Sequence, residues 1–274
     1  MKNKLSRFAV PYIIWMALFV VAPIVMVVIY AFSTADGGFT LANFSRMGTY
    51  AVVFTRSFKL AIIATAVCLA IGYPVSYMMS KEGVRFQRVA MVLIMLPMWM
   101  NFLLRTYAWM SLLEDNGLIN NMLAAVGLPR IHMINTAGAV VLGMVYNYIP
   151  YMILPIYSVL TKIDNSVIEA AQDLGANNRN VFLKVVLPMS MPGVISGVTM
   201  VFVPAVSTFI ISKMLGGGGN LLIGDLIDMQ FLGSAYNPNL GSAISLVLMV
   251  IILICMGIMN QFDDGENVGG GMIL

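Results

Sequence analysis

Side chains able to make or break bonds are scarce in this sequence. Cys68 and Cys255 both lie inside apolar runs and read as small buried hydrophobes, not as a disulfide or a metal pair. The single histidine, His132, has no Cys or His neighbour, so no metal site is expected. The long apolar runs are nearly free of Asp and Glu, and they hold no His/Asp/Glu or Ser/Lys constellation for catalysis. The polar residues that do cluster form one stretch, EAAQDLGANNRNVFLKVVLP, at positions 169–188. Its spacing suits non-covalent work: two short helices with a break between them, placed where something docks.

That stretch must be held by the rest of the chain, which reads as membrane from end to end. Of 274 residues, 60% are hydrophobic and 10% are charged. Soluble domains carry about 25% charged residues, so a soluble globular protein is excluded. Six runs reach spanning length, at about 10–32, 57–80, 86–112, 136–160, 191–213 and 239–261. At a rise of about 1.5 Å per residue each crosses a hydrocarbon core about 30 Å thick. Helices are the default there, because backbone polar groups in lipid must be satisfied within the segment. The expected class is therefore an all-α membrane protein with six transmembrane helices, one domain over 1–262. The acidic, Gly-rich tail at 263–274 is expected to be disordered. Ser33-Thr34-Ala35 has the form of a cleavage site, but the run before it is too long for a signal core of roughly 7–15 residues. The first run is expected to remain as a helix.

Lys and Arg orient the spans. They gather at Lys2, Lys4 and Arg7, again at Lys81, Arg85 and Arg88, and again at Lys162, Arg179 and Lys184. Both termini and the 169–188 stretch are thus expected on the cytoplasmic side. No Gly-x-x-x-x-Gly-Lys-Ser/Thr occurs, and the glycine run at 216–219 is followed by Asn220 and Leu221. Any ATP site would lie on another chain.

Ser166 and Glu169 have the spacing of a capping box. Val167, Ala170, Ala171 and Leu174 follow at i, i+3, i+4 and i+7, an apolar face kept thin by its alanines. Gly175 suits a left-handed stop, and Asn177 or Asn178 can cap a second helix that carries Val181, Phe182, Val185 and Val186. Pro188 is expected to end it. A hairpin lying on lipid headgroups would have the same pattern, but such helices favour basic polar faces, and this one carries Asp164, Glu169 and Asp173.

The order Glu-Ala-Ala, three residues, Gly, nine residues, an aliphatic, one residue, Leu-Pro resembles the cytoplasmic signature of ABC importer permeases. Glu169, Ala170, Ala171, Gly175, Val185, Leu187 and Pro188 carry it, with Val185 where Ile is usual. The resemblance implies the type I importer permease fold, and implies that the 161–190 connection forms coupling helices seated in a groove of an ATPase subunit. Glu169, Ala170, Ala171, Asp173, Leu174, Gly175, Leu187 and Pro188 would make that contact. Within the family the chain is similar to the spermidine/putrescine (PotB-type) branch, through GYPVSYMMSK at 72–81, LPMWMNFLLRTYAW at 96–109, GLINNMLAAVGL at 117–128 and GGGGNLLIGDLIDMQFL at 216–232. That likeness implies a bacterial inner-membrane subunit working with a second, homologous PotC-type permease, two ATPase subunits that hold ATP and Mg2+, and an extracytoplasmic binding protein. This chain would need no cofactor and no nucleic acid. Iron, sulfate and other solutes are carried by permeases of the same architecture.

A polyamine path should present aromatic faces and acceptors, because ammonium groups gain from both. The candidates are Trp99, Asn101, Tyr107, Tyr146 and Tyr148, with Asp225 and Asp228 at i, i+3 in an outer apolar stretch. The sequence leaves plainer readings open: Trp and Tyr at a membrane end are also interfacial anchors, and the Asp pair also suits a solvated helix face. Arg105 reads as structural, since a polyamine is itself cationic; a water-lined path or a partner carboxylate, Glu114 or Asp115, would offset the cost of its charge. Pro74 removes one helical hydrogen bond, giving either a static bend or a gating hinge. An ion-coupled secondary transporter would need carboxylates within the spans, which these lack.

Overall fold

The computed structural model describes residues 10–34, 37–233 and 235–267. The described elements are helical apart from one isolated antiparallel bridge between Ser33 and Phe39. In chain order, α1 is Val10–Ala31, with a π turn at Ala17–Val21 that ends two residues before Pro23. A short α2 (Ala42–Arg46) and a 3-10 turn (Met47–Tyr50) lead into α3 (Ala51–Lys81). Then follow α4 (Val84–Trp99), α5 (Phe102–Leu113), α6 (Leu118–Ala125) and α7 (Ala137–Leu160). The polar stretch contains α8 (Asn165–Asp173) and α9 (Asn178–Val181), and α10 (Leu187–Ser207) leaves it. The chain closes with α11 (Ile210–Leu215), α12 (Ile223–Phe231) and α13 (Pro238–Asn267). Among the described residues five helices are long and apolar enough to cross a membrane, and a sixth span results if α4 and the segment 102–125 are counted together.

Three boundaries differ from the sequence expectation, each for a local reason. The run 86–112 is not straight: it bends by 89° after Trp99. Met100 and Asn101 are extended there, and the Asn101 side chain accepts the N–H groups of Leu103 and Leu104 at 2.8 and 3.3 Å, which starts a new helix. The run 191–213 is interrupted at Thr208, whose extended backbone (ψ 142°) separates α10 from α11. At the C-terminus α13 continues through Asn267, so the tail expected to be disordered from 263 is helical at its start; residues 268–274 lie outside the described residues.

The chain divides into two compact units, Met1–Val52 with Leu226–Leu253, and Val53–Asp225 with Ile254–Leu274. In the first, Phe32 stacks on Phe39 with ring centroids 5.8 Å apart and leans on Phe44 at 5.0 Å. The buried Asn43 amide donates to the Ala31 and Ser33 carbonyls at 3.0 and 3.1 Å, closing the turn after α1. Nearly all of α1 is exposed and apolar on every side, the surface a lipid-facing helix presents. The other part of this unit buries Leu240, Ala243, Ile244 and Leu248.

The second unit is organised by α7 against α10, its most extensive helix pair. Gly193 and Gly197 let the two backbones approach: a Cβ on Gly193 would sit 2.9 Å from the Pro155 carbonyl oxygen, and one on Gly197 would sit 2.9 Å from Met152 Sδ. On its other side α7 receives α3, where a Cβ on Gly72 would lie 3.0 Å from Met152 Cγ and the Ser76 hydroxyl donates to the Ile153 carbonyl at 3.1 Å. Met144, Met152 and Ile156 fill the space between and are fully buried.

A bulky residue at Gly193 meets backbone, which cannot yield. Gly193→Leu is therefore expected to destabilise the chain by about 1–3 kcal/mol, read as a lower Tm in detergent. Gly257→Ala, where a Cβ meets nothing within 4 Å, should leave Tm unchanged or slightly raised.

Candidate functional site

The two ends of the polar connection are the last turn of α7 and the first of α10, so the glycine-packed pair sets its base. The capping box expected at Ser166 is not formed. Asp164 caps α8 instead, its carboxylate accepting the Ser166 N–H at 2.9 Å. That hydrogen bond from the Ser166 backbone holds the Asp164 carboxyl below the ordinary aspartate range. Asp164 wins because it has the extended backbone of a cap (ψ 133°), whereas Ser166 is already inside the helix. Gly175 ends α8 at φ +85°. Its N–H bonds to the Gln172 carbonyl at 2.8 Å and the Ala176 N–H to the Ala171 carbonyl at 3.0 Å, the paired bonds of a Schellman stop. Asn177 then caps α9 by accepting the Asn180 N–H at 2.9 Å.

Most of α8 is exposed. It has no buried residue, Leu174 is 90% exposed and Val167 40%, and Glu169, Ala170 and Asp173 face outward with them. Ile168 turns inward, into a small cavity walled by Tyr77, Leu160 and Val186. α9 and the turn after it behave oppositely, with Val181 and Val186 buried.

Pro188 does not end the second helix. It enters α10 in its first turn, and the clash its ring would cause is taken up by a π turn, Phe182–Val186, closed by the Leu187 N–H on the Phe182 carbonyl. Phe182 thereby faces α3. Its ring lies edge-on to Tyr73 at 5.9 Å and to Tyr77 at 5.3 Å. The Ser190 hydroxyl donates to the Leu187 carbonyl at 2.9 Å, so the Tyr73 hydroxyl, 2.8 Å from Ser190 Oγ, is the donor of that bond. Sequence reading missed this cluster; its one signal is the pair Tyr73 and Tyr77 at i, i+4 on either side of Pro74.

The residues singled out for a solute path are less concentrated. Trp99 is 76% exposed at the end of α4 and Tyr107 is 56% exposed on α5. Asn101 is occupied as the α5 cap. Tyr146 packs edge-on to Trp109 at 5.2 Å, while the buried Tyr148 hydroxyl donates to the Pro204 carbonyl at 3.5 Å, so the two tyrosines serve different contacts. Asp225 is buried, its carboxylate accepting the Leu222 N–H at 2.9 Å, and Asp228 is half-buried. Arg105 does not reach the expected carboxylates: it is 7% exposed, its Nε and Nη1 have no hydrogen-bond partner among the described residues, and the Phe102 ring lies 6.0 Å away. Asp115 pairs instead with His132, at 2.8 Å. From Arg105 the chain runs on through α5 before Glu114 is reached, about 13 Å along the helix at 1.5 Å per residue, which puts those carboxylates out of range. No group of three His, Cys, Asp or Glu suited to a metal occurs among the described residues.

Residues 72–265 match the model of the binding-protein-dependent transport system inner membrane component family. The chain is 39% identical over 261 residues to the spermidine/putrescine transport system permease protein PotB of Haemophilus influenzae, covering 91% of each chain. It is 36% identical over 248 residues to PotB of Escherichia coli K12, covering 87% of this chain and 90% of that one. Its fold superposes with TM-score 0.81 on a chain of a bacterial ABC transporter involved in the import of alginate, at 15% identity over 94% of this chain and 93% of the other. With that much of its length matched, the chain belongs to the inner membrane components of binding-protein-dependent transport systems.

Proposed function

We propose that this chain carries polyamines, spermidine and putrescine, through the cytoplasmic membrane of a bacterium, as one permease of an ATP-driven importer. The observation that carries the substrate is the 39% and 36% identity, over about nine-tenths of the length, to permeases named for those two solutes. The likeness to the alginate transporter, at 15% identity, supports the fold and not the cargo.

In this reading both termini and α8 lie on the cytoplasmic side, following the basic residues of the short connections. The chain performs no bond chemistry. ATP and Mg2+ are held by two ATPase subunits, a second homologous permease of the PotC type completes the path, and an extracytoplasmic binding protein delivers the solute. The exposed face of α8 fits the ATPase contact. Leu174 is the apolar knob, and burying a leucine of this exposure stabilises a complex by about 1.5–3 kcal/mol. Glu169, Ala170, Ala171 and Asp173 surround it, Gly175 sets the angle at which α8 leaves the loop, and Leu187 and Pro188 begin the span that answers to it. Trp99, Asn101, Tyr107, Tyr146, Tyr148, Asp225 and Asp228 remain the candidates for the solute path.

In a reconstituted complex with ATPase subunits and binding protein, spermidine or putrescine is expected to stimulate ATP hydrolysis. Stimulation by another solute, with neither polyamine active, would overturn the cargo and leave the importer. For the docking loop, Glu169→Lys and Gly175→Pro are each expected to abolish uptake while the protein still reaches the membrane. Proline cannot take φ +85° and would remove the N–H bonded to Gln172. Normal uptake by both variants would reduce α8 to a surface hairpin.

A further inference from the structure

α8 is attached to the spans at its base, and that attachment runs through few side chains. The helix itself buries nothing. A displacement of α8 can reach the spans along the backbone into α7 and α10, or sideways into α3. Beside the cavity that Ile168 shares with Tyr77 and Val186, a sideways route is built from aromatic rings. Phe182, the first residue of the π turn, inserts edge-on against Tyr73 and Tyr77, which lie one helical turn apart and flank Pro74. Tyr73 is further tied to the buried Ser190 of α10 at 2.8 Å. The adjoining face of the same α3 segment, about 100° round the helix, is fixed to α7 through Gly72 and Ser76. Around Pro74, α3 is thus held by α7 at Gly72 and Ser76 and by Phe182 at Tyr73 and Tyr77. Pro74 is the place where that half can bend, because the hydrogen bond its N–H would make is missing.

We infer that Phe182 is a positioning residue of the transport cycle, the joint through which movement of the loop carrying α8 is passed to the Pro74 bend of α3. This rests on the reading of α8 as the ATPase-docking element. Two features make Phe182 a transmitting contact and not merely a packed one. It belongs to a π turn, an irregular step whose extra residue can be taken up or released as the helix changes register. Its two partners also sit on the two sides of the flexible point in α3, so a shift of one ring moves one side of the bend relative to the other. Leu183, the next residue, is 44% exposed, which makes it the natural control.

The test uses the complete complex in liposomes, reading three quantities for each variant: co-purification with the ATPase subunits, ATP hydrolysis without binding protein, and hydrolysis with solute-loaded binding protein. Phe182→Ala is expected to keep co-purification and basal hydrolysis within about twofold, while stimulation by the loaded binding protein falls roughly five- to tenfold or more, the size of a lost coupling between two sites. Phe182→Tyr, which preserves the ring, should restore most of the stimulation, and Leu183→Ala should behave as the unaltered chain. Full stimulation in Phe182→Ala would overturn the inference, and so would an equal loss in Leu183→Ala. Loss of co-purification in Phe182→Ala with recovery in Phe182→Tyr would also overturn it, leaving Phe182 a packing residue only. Failure of the docking reading shows separately: Glu169→Lys and Gly175→Pro would then leave ATPase co-purification and stimulation intact.

Discussion

Everything the polar connection does depends on how closely α7 and α10 approach. Their backbones touch at Gly193 and Gly197, so neither helix can slide or tilt far without the other. In a membrane this kind of close contact replaces the hydrophobic effect as the force between helices, since lipid is as apolar as a leucine side chain. Both ends of the 161–186 connection grow from this pair. A load applied to α8 therefore enters a stiff base and is not absorbed by two independent spans.

The second constraint is the number of prolines the spans contain. Pro74, Pro97, Pro150, Pro155, Pro192 and Pro204 all fall inside helices, and each removes a backbone hydrogen bond where water is scarce. The chain answers its prolines in different ways. Before Pro188, in the first turn of α10, it inserts a π turn. Near Pro204 the helix stops at Ser207 and restarts as α11. After Pro97 it breaks and begins again under the Asn101 cap. Three residues proposed above for transport, Phe182, Trp99 and Leu187, each lie within a few residues of one of these irregular points. A span that carries irregular backbone at membrane depth does so where other helices cover it or where a path opens.

Legibility followed the range of the interaction. The Gly175 stop and the Asn177 cap were readable because each is a contact of a residue with its near neighbours. The existence of the spans was readable from composition alone. The cap at Asp164 was misread because two capping residues compete two positions apart, and only backbone geometry decides between them. The continuation of α9 through Pro188 was misread because proline ends a helix or begins one depending on the turn before it. The bend at Met100 is hidden inside an unbroken apolar run. Contacts made between distant positions were out of reach: Phe182 meets Tyr73 and Tyr77 across more than a hundred residues, and Arg105 fails to meet the carboxylates that nearness in sequence suggested.

The central claim is that the face of α8 carrying Leu174 is the surface on which an ATPase subunit sits. It is tested most directly by contact. With Cys68 and Cys255 replaced by serine, Leu174→Cys should form a disulfide with cysteines placed along the groove of the ATPase subunit, and the yield should change when ATP is added. Cysteine introduced at Leu128, exposed three residues beyond α6, should form none. Equal cross-linking from both positions, or cross-linking from Leu128 alone, would contradict the account.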